Sequence, residues 1–126
     1  MIATRDVGAV AADALLKLNF TGKQTNELLG QRDLDMNEAT AIIGRAIGKP
    51  DLRYVQLPPE HVRLGLLRVG MSGNMADLLL EVSNSLNSGF IKNLEKRSSE
   101  NTTATSHETF VAETFTPIYK GKPQVA

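Results

Sequence analysis

This chain has more helix than sheet to lay it on. Only residues 24–29 and 52–57 show the composition and loose alternation of β-strands, with two-residue remnants at Ile2-Ala3 and Asp33-Leu34. Two strands alone make a marginal sheet in water. Yet the first helical stretch is shaped to lie on one. Across residues 6–18, Val7, Val10, Ala11, Ala14, Leu15 and Leu18 recur at helical spacing on one face. Most are small, so the helix can approach a flat surface closely. Thr4 or Asp6 is placed to cap its start. The expected fold is α/β, with an incomplete sheet that needs strands from outside these residues.

The remaining punctuation is clear. Gly22 turns the chain into the first strand, which ends at Gly30. Asp35 and Glu38 form a capping box for a helix with Ala39, Ile42, Ile43, Ala46 and Ile47 inward. Gly48 and Pro50 end it. Pro58-Pro59 leads into a long helical region over residues 60–86, kinked at Gly70-Met71-Ser72-Gly73. Residues 97–103 read as a polar loop. Thr105 and Glu108 then read as a second capping box, opening a short helix with Phe110, Val111 and Phe115 inward, ended by Pro117. Residues 120–126 read as a disordered tail.

Composition narrows the function classes. Fourteen basic and fourteen acidic residues in 126 give no net charge, which removes the electrostatic argument for nucleic acid or a membrane surface as partner. There is no cysteine, hence no disulfide, thiol nucleophile or thiolate metal site. That suits a reducing, cytoplasmic compartment. No apolar run approaches the ~20 residues of a membrane span, and the first residues lack a leader pattern.

Most chemical motifs fail on spacing. Gly22-Lys23 and Gly48-Lys49 lack the earlier glycine and the following hydroxyl of a phosphate loop. His61 and His107 have no ligand partners at short spacing, so no metal site is expected. No Tyr-x-x-x-Lys pair occurs. Lys92, Lys96 and Arg97 read as a solvated basic cluster at a helix end. Met71 and Met75 stand out, because they flank glycines and offer a polarisable apolar surface. Such a stripe is either core or one wall of a pocket for a flat apolar molecule.

Several motifs, in order, carry a resemblance. The segment Ile2-Ala3-Thr4-Arg5-Asp6-Val7-Gly8-Ala9-Val10-Ala11-Ala12 resembles the Asp-Val-Gly/Ala helix of the NmrA-like proteins, a branch of the atypical short-chain dehydrogenases. Gly22-Lys23 through Leu28 and Gly30 resembles that family's next strand. Asp35 through Gly48-Lys49-Pro50 resembles its capped helix, and Arg53-Tyr54-Val55 with Pro58-Pro59-Glu60 its following strand and exit. Thr105, Glu108, Phe110 and Val111, then Phe115 and Pro117, resemble its last helix. The match covers roughly residues 2–119.

The resemblance implies the carboxy-terminal end of a Rossmann-type NAD(P)-binding fold over residues 1–30, then a small helical α/β substrate subdomain over residues 31–119. It implies NADP or NAD bound by an amino-terminal Rossmann part outside these residues, with none expected on this chain alone and no catalytic residue transferable to it. It further implies a small apolar, quinone-like substrate, with Met71, Met75, Leu78, Leu79 and Phe90 lining its pocket. Two other expectations stand beside this one: a nucleotide-sensing or protein-interaction module without turnover, and a stand-alone chain that forms a homodimer to complete its sheet.

Overall fold

A computed structural model describes residues 1–18 and 20–121. These residues form helices and irregular connections and no sheet, so the expected α/β, Rossmann-type architecture is not what the chain adopts. Two units are distinguished: Met1–Tyr54 with Glu95–Ala126, and Val55–Leu94.

In the first unit, α1 spans Thr4–Lys17. Its N-cap position is Ala3, which has no side chain to offer, and Thr4 and Asp6 lie inside the helix. The Asp6 carboxylate accepts instead from the backbone N–H and the hydroxyl of Thr105, at 2.8 and 2.7 Å. The expected apolar face exists, but no residue of α1 is buried and Val7, Val10 and Leu15 are exposed.

Helix α2, Met36–Ala46, follows its sequence closely. Asp35 Oδ1 accepts from the Glu38 N–H at 2.8 Å, and Glu38 Oε2 accepts from the Asp35 N–H at 3.1 Å. Two donors that a helix start leaves unpaired are thereby satisfied. At the other end Gly48 takes φ +76°, while the Lys49 N–H returns to the Gly44 carbonyl at 2.7 Å and the Gly48 N–H to the Arg45 carbonyl at 3.3 Å. This is a Schellman closure, which wants glycine at the left-handed position. It folds the chain back across Gly44, where a Cβ would stand 2.6 Å from the Lys49 carbonyl oxygen and 3.1 Å from Leu52 Cβ.

The expected strand over residues 24–29 is reduced to a single parallel bridge, Leu29 with Thr102. The Leu29 N–H donates to the Asn101 carbonyl at 2.7 Å, and the Leu29 carbonyl accepts from the Thr103 N–H at 2.8 Å and its hydroxyl at 3.1 Å. The partner is the segment expected to be a polar loop. Asn101 and Thr103 are buried there. Residues 52–57 are not a strand, nor are Ile2-Ala3 or Asp33-Leu34. A strand exists only where a neighbour takes up its N–H and C=O groups. Among the described residues only Leu29 finds that neighbour, and side-chain alternation cannot replace it.

The last helical part of the described residues is three joined turns: α5 (His107–Phe110), a π-helical segment (Val111–Phe115) and α6 (Thr116–Tyr119). The cap is Ser106, not Thr105: its hydroxyl accepts from the Thr109 N–H at 3.0 Å. Glu108 is drawn away to Arg32. Pro117 does not end the helix. It has no N–H to give the carbonyl four residues back, and the turn before it widens so that the Thr116 N–H reaches Val111. Val111, 1% exposed, is the most buried large side chain, and this segment packs on α2. Of the expected tail, residues 122–126 lie outside those described.

The second unit is a helical hairpin of α3 (Pro59–Arg68) and α4 (Gly73–Asn87). The expected kink is a complete stop and restart. Gly70 takes φ +90°, with the Met71 N–H returning to the Leu66 carbonyl at 3.1 Å. Ser72 then caps α4 by accepting from the Met75 N–H at 3.3 Å. Ala76 is fully buried and allows the two helices a close approach.

Gly44→Ala should lower stability by about 1–3 kcal/mol through overpacking against backbone, read as a fall in the urea midpoint. Gly8→Ala, where a Cβ meets open space, should instead add helix and up to about 1 kcal/mol. Equal effects at the two positions would show that the return of the chain over Gly44 does not constrain α2.

Candidate functional site

Met75, Leu78 and Leu79 lie along α4 with Val82 and Leu86, at the i, i+3, i+4, i+7, i+11 spacing that puts side chains on one helix face. All five are between 41% and 55% exposed. The face toward α3 is a different one, marked by the fully buried Ala76 and by Asp77, which pairs with Arg63. Met71 lies outside the stripe, half-buried in the turn between the helices. Phe90 lies beyond Gly89, whose φ of +74° turns the chain at the end of α4. Its ring is 84% exposed. It borders a shallow, open cleft of about 330 Å³ with Glu81, Asn84, Ser85 and Ser88. The five expected residues thus form a three-residue stripe, one half-buried methionine and one aromatic flank. Sequence spacing identified the stripe, but gave no signal for the cleft beside it, because Phe90 is placed by the turn and not by the helix.

The hairpin is locked on its other side. Arg63 Nε and Nη2 donate to the two carboxylate oxygens of Asp77, at 2.6 and 3.2 Å. This is the two-pronged geometry that makes arginine–carboxylate pairs directional. The guanidinium hydrogen bond holds the Asp77 carboxyl below the ordinary aspartate range, and Asp77 in turn raises Arg63. Both side chains are largely exposed, so the pair fixes geometry more than it adds stability.

The first unit carries a second concentration of polar groups. Arg5 donates to the Thr105 hydroxyl at 3.2 Å and pairs with Glu113 at 3.0 Å. Arg32 pairs with Glu108, and Arg97 with Asp33. The Thr105 hydroxyl, then its N–H, hold the Asp6 carboxyl below its usual range, with Arg5 adding a smaller effect in the same direction. A cleft of about 250 Å³ lies beside this network, lined by Ile2, Ala3, Thr105, His107 and Phe110 among others. His107 Nε2 is buried there with no hydrogen-bond partner.

Lys92, Lys96 and Arg97 do not lie at a helix end as expected: none of them is helical, and Arg97 pairs with Asp33. Among the described residues no group of three or more His, Asp or Glu side chains could hold a metal ion. No helix among them is long and apolar enough to cross a membrane. One juxtaposition was beyond sequence spacing: Lys49 Nζ sits 5.6 Å from the centre of the Tyr119 ring. The interaction with Tyr119 raises the Lys49 pKa above the ordinary lysine value. Tyr119 also stacks on Phe115 at 6.2 Å. The pair fastens α6 to the end of α2.

No protein-family model matches this chain, and no curated protein or solved structure matches it at a significant level.

Asp6 should titrate below the ordinary aspartate range in carboxyl NMR. A depressed carboxyl contributes stability that is present above its unfolded value and lost as pH falls through its folded value. Thr105→Val should therefore raise the Asp6 midpoint part of the way back and weaken the attachment of α1 to residue 105 at higher pH. An unmoved midpoint would show that the Thr105 hydroxyl does not hold the carboxylate.

Proposed function

We propose that this chain is the substrate side of an NAD(P)-dependent oxidoreductase of the NmrA-like kind, and that the open stripe of α4 receives a small, apolar, quinone-like molecule. The observation that carries this reading is the stripe itself. Five apolar side chains stand exposed along a helix whose other side is fixed to α3 by Ala76 and the Arg63–Asp77 pair. Covering ~100 Å² of such a surface with a flat ring contributes on the order of 2–3 kcal/mol. Methionine adapts to the outline of a ring and its sulfur favours aromatic contact.

The role is binding, not chemistry. The stripe residues carry no group that could accept or donate a proton. In this reading NAD(P)H supplies the hydride from another part of the protein, and the α4 wall orients the acceptor and keeps water from it. Helix α1 supports the same view. Its apolar face is unpacked, and a 14-residue helix is marginal in water without a partner, so it offers a surface for a nucleotide-binding part to cover. A cytoplasmic setting fits both NAD(P)H chemistry and the lack of cysteine.

Titration of the chain with 2-methyl-1,4-naphthoquinone, followed by methyl NMR, should give saturable shifts at Met75, Leu78 and Leu79. NADPH should leave these signals in place. Met75→Asp should weaken quinone binding at least about tenfold, the loss expected from exposing a buried methionine contact. Unchanged methyl signals at high quinone would remove the substrate role and favour a module that binds another protein through this face.

A further inference from the structure

A helix face is convex, so a flat ring laid on the α4 stripe has one face covered and the other in water. Ligand sites bury roughly 70–90% of a ligand's surface. If the stripe receives an apolar substrate, the reading on which this inference rests, the site is one wall short. The second unit lacks cover as well. Of the forty residues Val55–Leu94 only Ala76 is buried. A unit of about this size is usually held by disulfides, a metal or association. It has no cysteine, and no side-chain group among the described residues could hold a metal ion, which leaves association.

The stripe is shaped to meet a second copy of itself. Met75, Leu79, Val82 and Leu86 recur every four, three and four residues, the mean spacing of 3.5 at which two helices mesh along a seam. Leu78 and Ser85 border that seam on one flank, Ala76 and Ser83 on the other. The two charged residues of α4, Asp77 and Glu81, lie on the far side of the helix, so two copies meet without facing charges. Five side chains no more than 55% exposed offer roughly half of the ~800 Å² that each partner gives to a stable interface. Two bare stripes therefore associate weakly, and a ring between them supplies the missing contact.

We infer that the flat substrate is held between the α4 stripes of two copies of this chain. The two helices run antiparallel about a twofold axis, which sets the positive end of each beside the negative end of the other. Met75 of one copy then comes level with Leu86 of the second. Both ring faces are covered, while the ring edge, with its carbonyl oxygens, stays open to the reductant. The chain alone is monomeric, and the quinone brings the pair together.

The test uses the whole chain and 2-methyl-1,4-naphthoquinone. Sedimentation equilibrium gives the mass with and without the quinone, and methyl NMR titration gives the stoichiometry. The mass should double on addition of quinone, and the shifts of Met75, Leu78 and Leu79 should saturate at one quinone for two chains. Leu86→Glu changes an exposed residue at the far end of the stripe and sets a carboxylate against Met75 of the second copy. It should keep the chain monomeric in the presence of quinone and weaken quinone binding about tenfold. If one quinone binds each chain with no change in mass, or Leu86→Glu binds it as tightly as the parent chain, the paired site is overturned while the apolar-substrate reading stands. A dimer already formed without quinone and no tighter with it also overturns the paired site. If the quinone leaves the stripe signals in place, both fall together.

Discussion

The first unit depends on one clip between distant parts of the chain. Leu29 exchanges backbone hydrogen bonds with Asn101 and Thr103, and a few residues on Thr105 receives Asp6. These contacts fix the start of α1, the entry to α2 and the run into α5 relative to one short stretch, residues 101–105. Asn101 is what makes the stretch rigid. Its side chain accepts from the Ser98 N–H at 2.8 Å and donates to the Lys96 carbonyl at 3.0 Å, closing the loop that presents Thr102 and Thr103. A buried amide left without such partners would be costly, so loop and clip form together or not at all.

That clip also explains which features the sequence made legible. Caps and stops are local: Asp35 and Glu38 are three residues apart, and Gly48 acts on carbonyls within one turn. Their expected roles in α2 hold for that reason. The same is true of the glycine at position 70, although its effect is a full break between α3 and α4 and not a bend. Strands are not local. Residues 52–57 have the right side chains but no edge among the described residues to pair with, while Thr102 and Thr103, which looked like loop, find Leu29, 74 residues from Thr103. Thr105 and Glu108 failed as a capping box for a related reason. Each was claimed by a distant ionic partner, Thr105 by Asp6 and Glu108 by Arg32, and Ser106 took the cap.

The proposed site was legible to the same extent. Helical periodicity gave Met75, Leu78 and Leu79 a common face, because three positions on one helix need no tertiary information. It could not show whether that face was core or surface. The answer depends on Ala76 and on the Arg63–Asp77 pair, which together decide how α4 is rotated against α3. Phe90 was read as part of the same wall. It is placed instead by a left-handed glycine beyond the helix end, on the polar flank with Glu81.

A side chain as small as alanine at position 76 has a further consequence. It lets the hairpin close without the larger apolar residues of α4, and the buried apolar residues elsewhere are few. Leu78, Leu79, Val82 and Leu86 are therefore not consumed by folding of the hairpin. Fixing them to this helix while leaving them in contact with water is unfavourable for the isolated chain, and the burial they lack is recovered only when something covers them. In the proposed reading, the apolar stripe is a surface for a ligand to cover and not an incomplete core. If that reading holds, the bidentate Arg63–Asp77 contact between α3 and α4 lessens the ordering that binding must oppose.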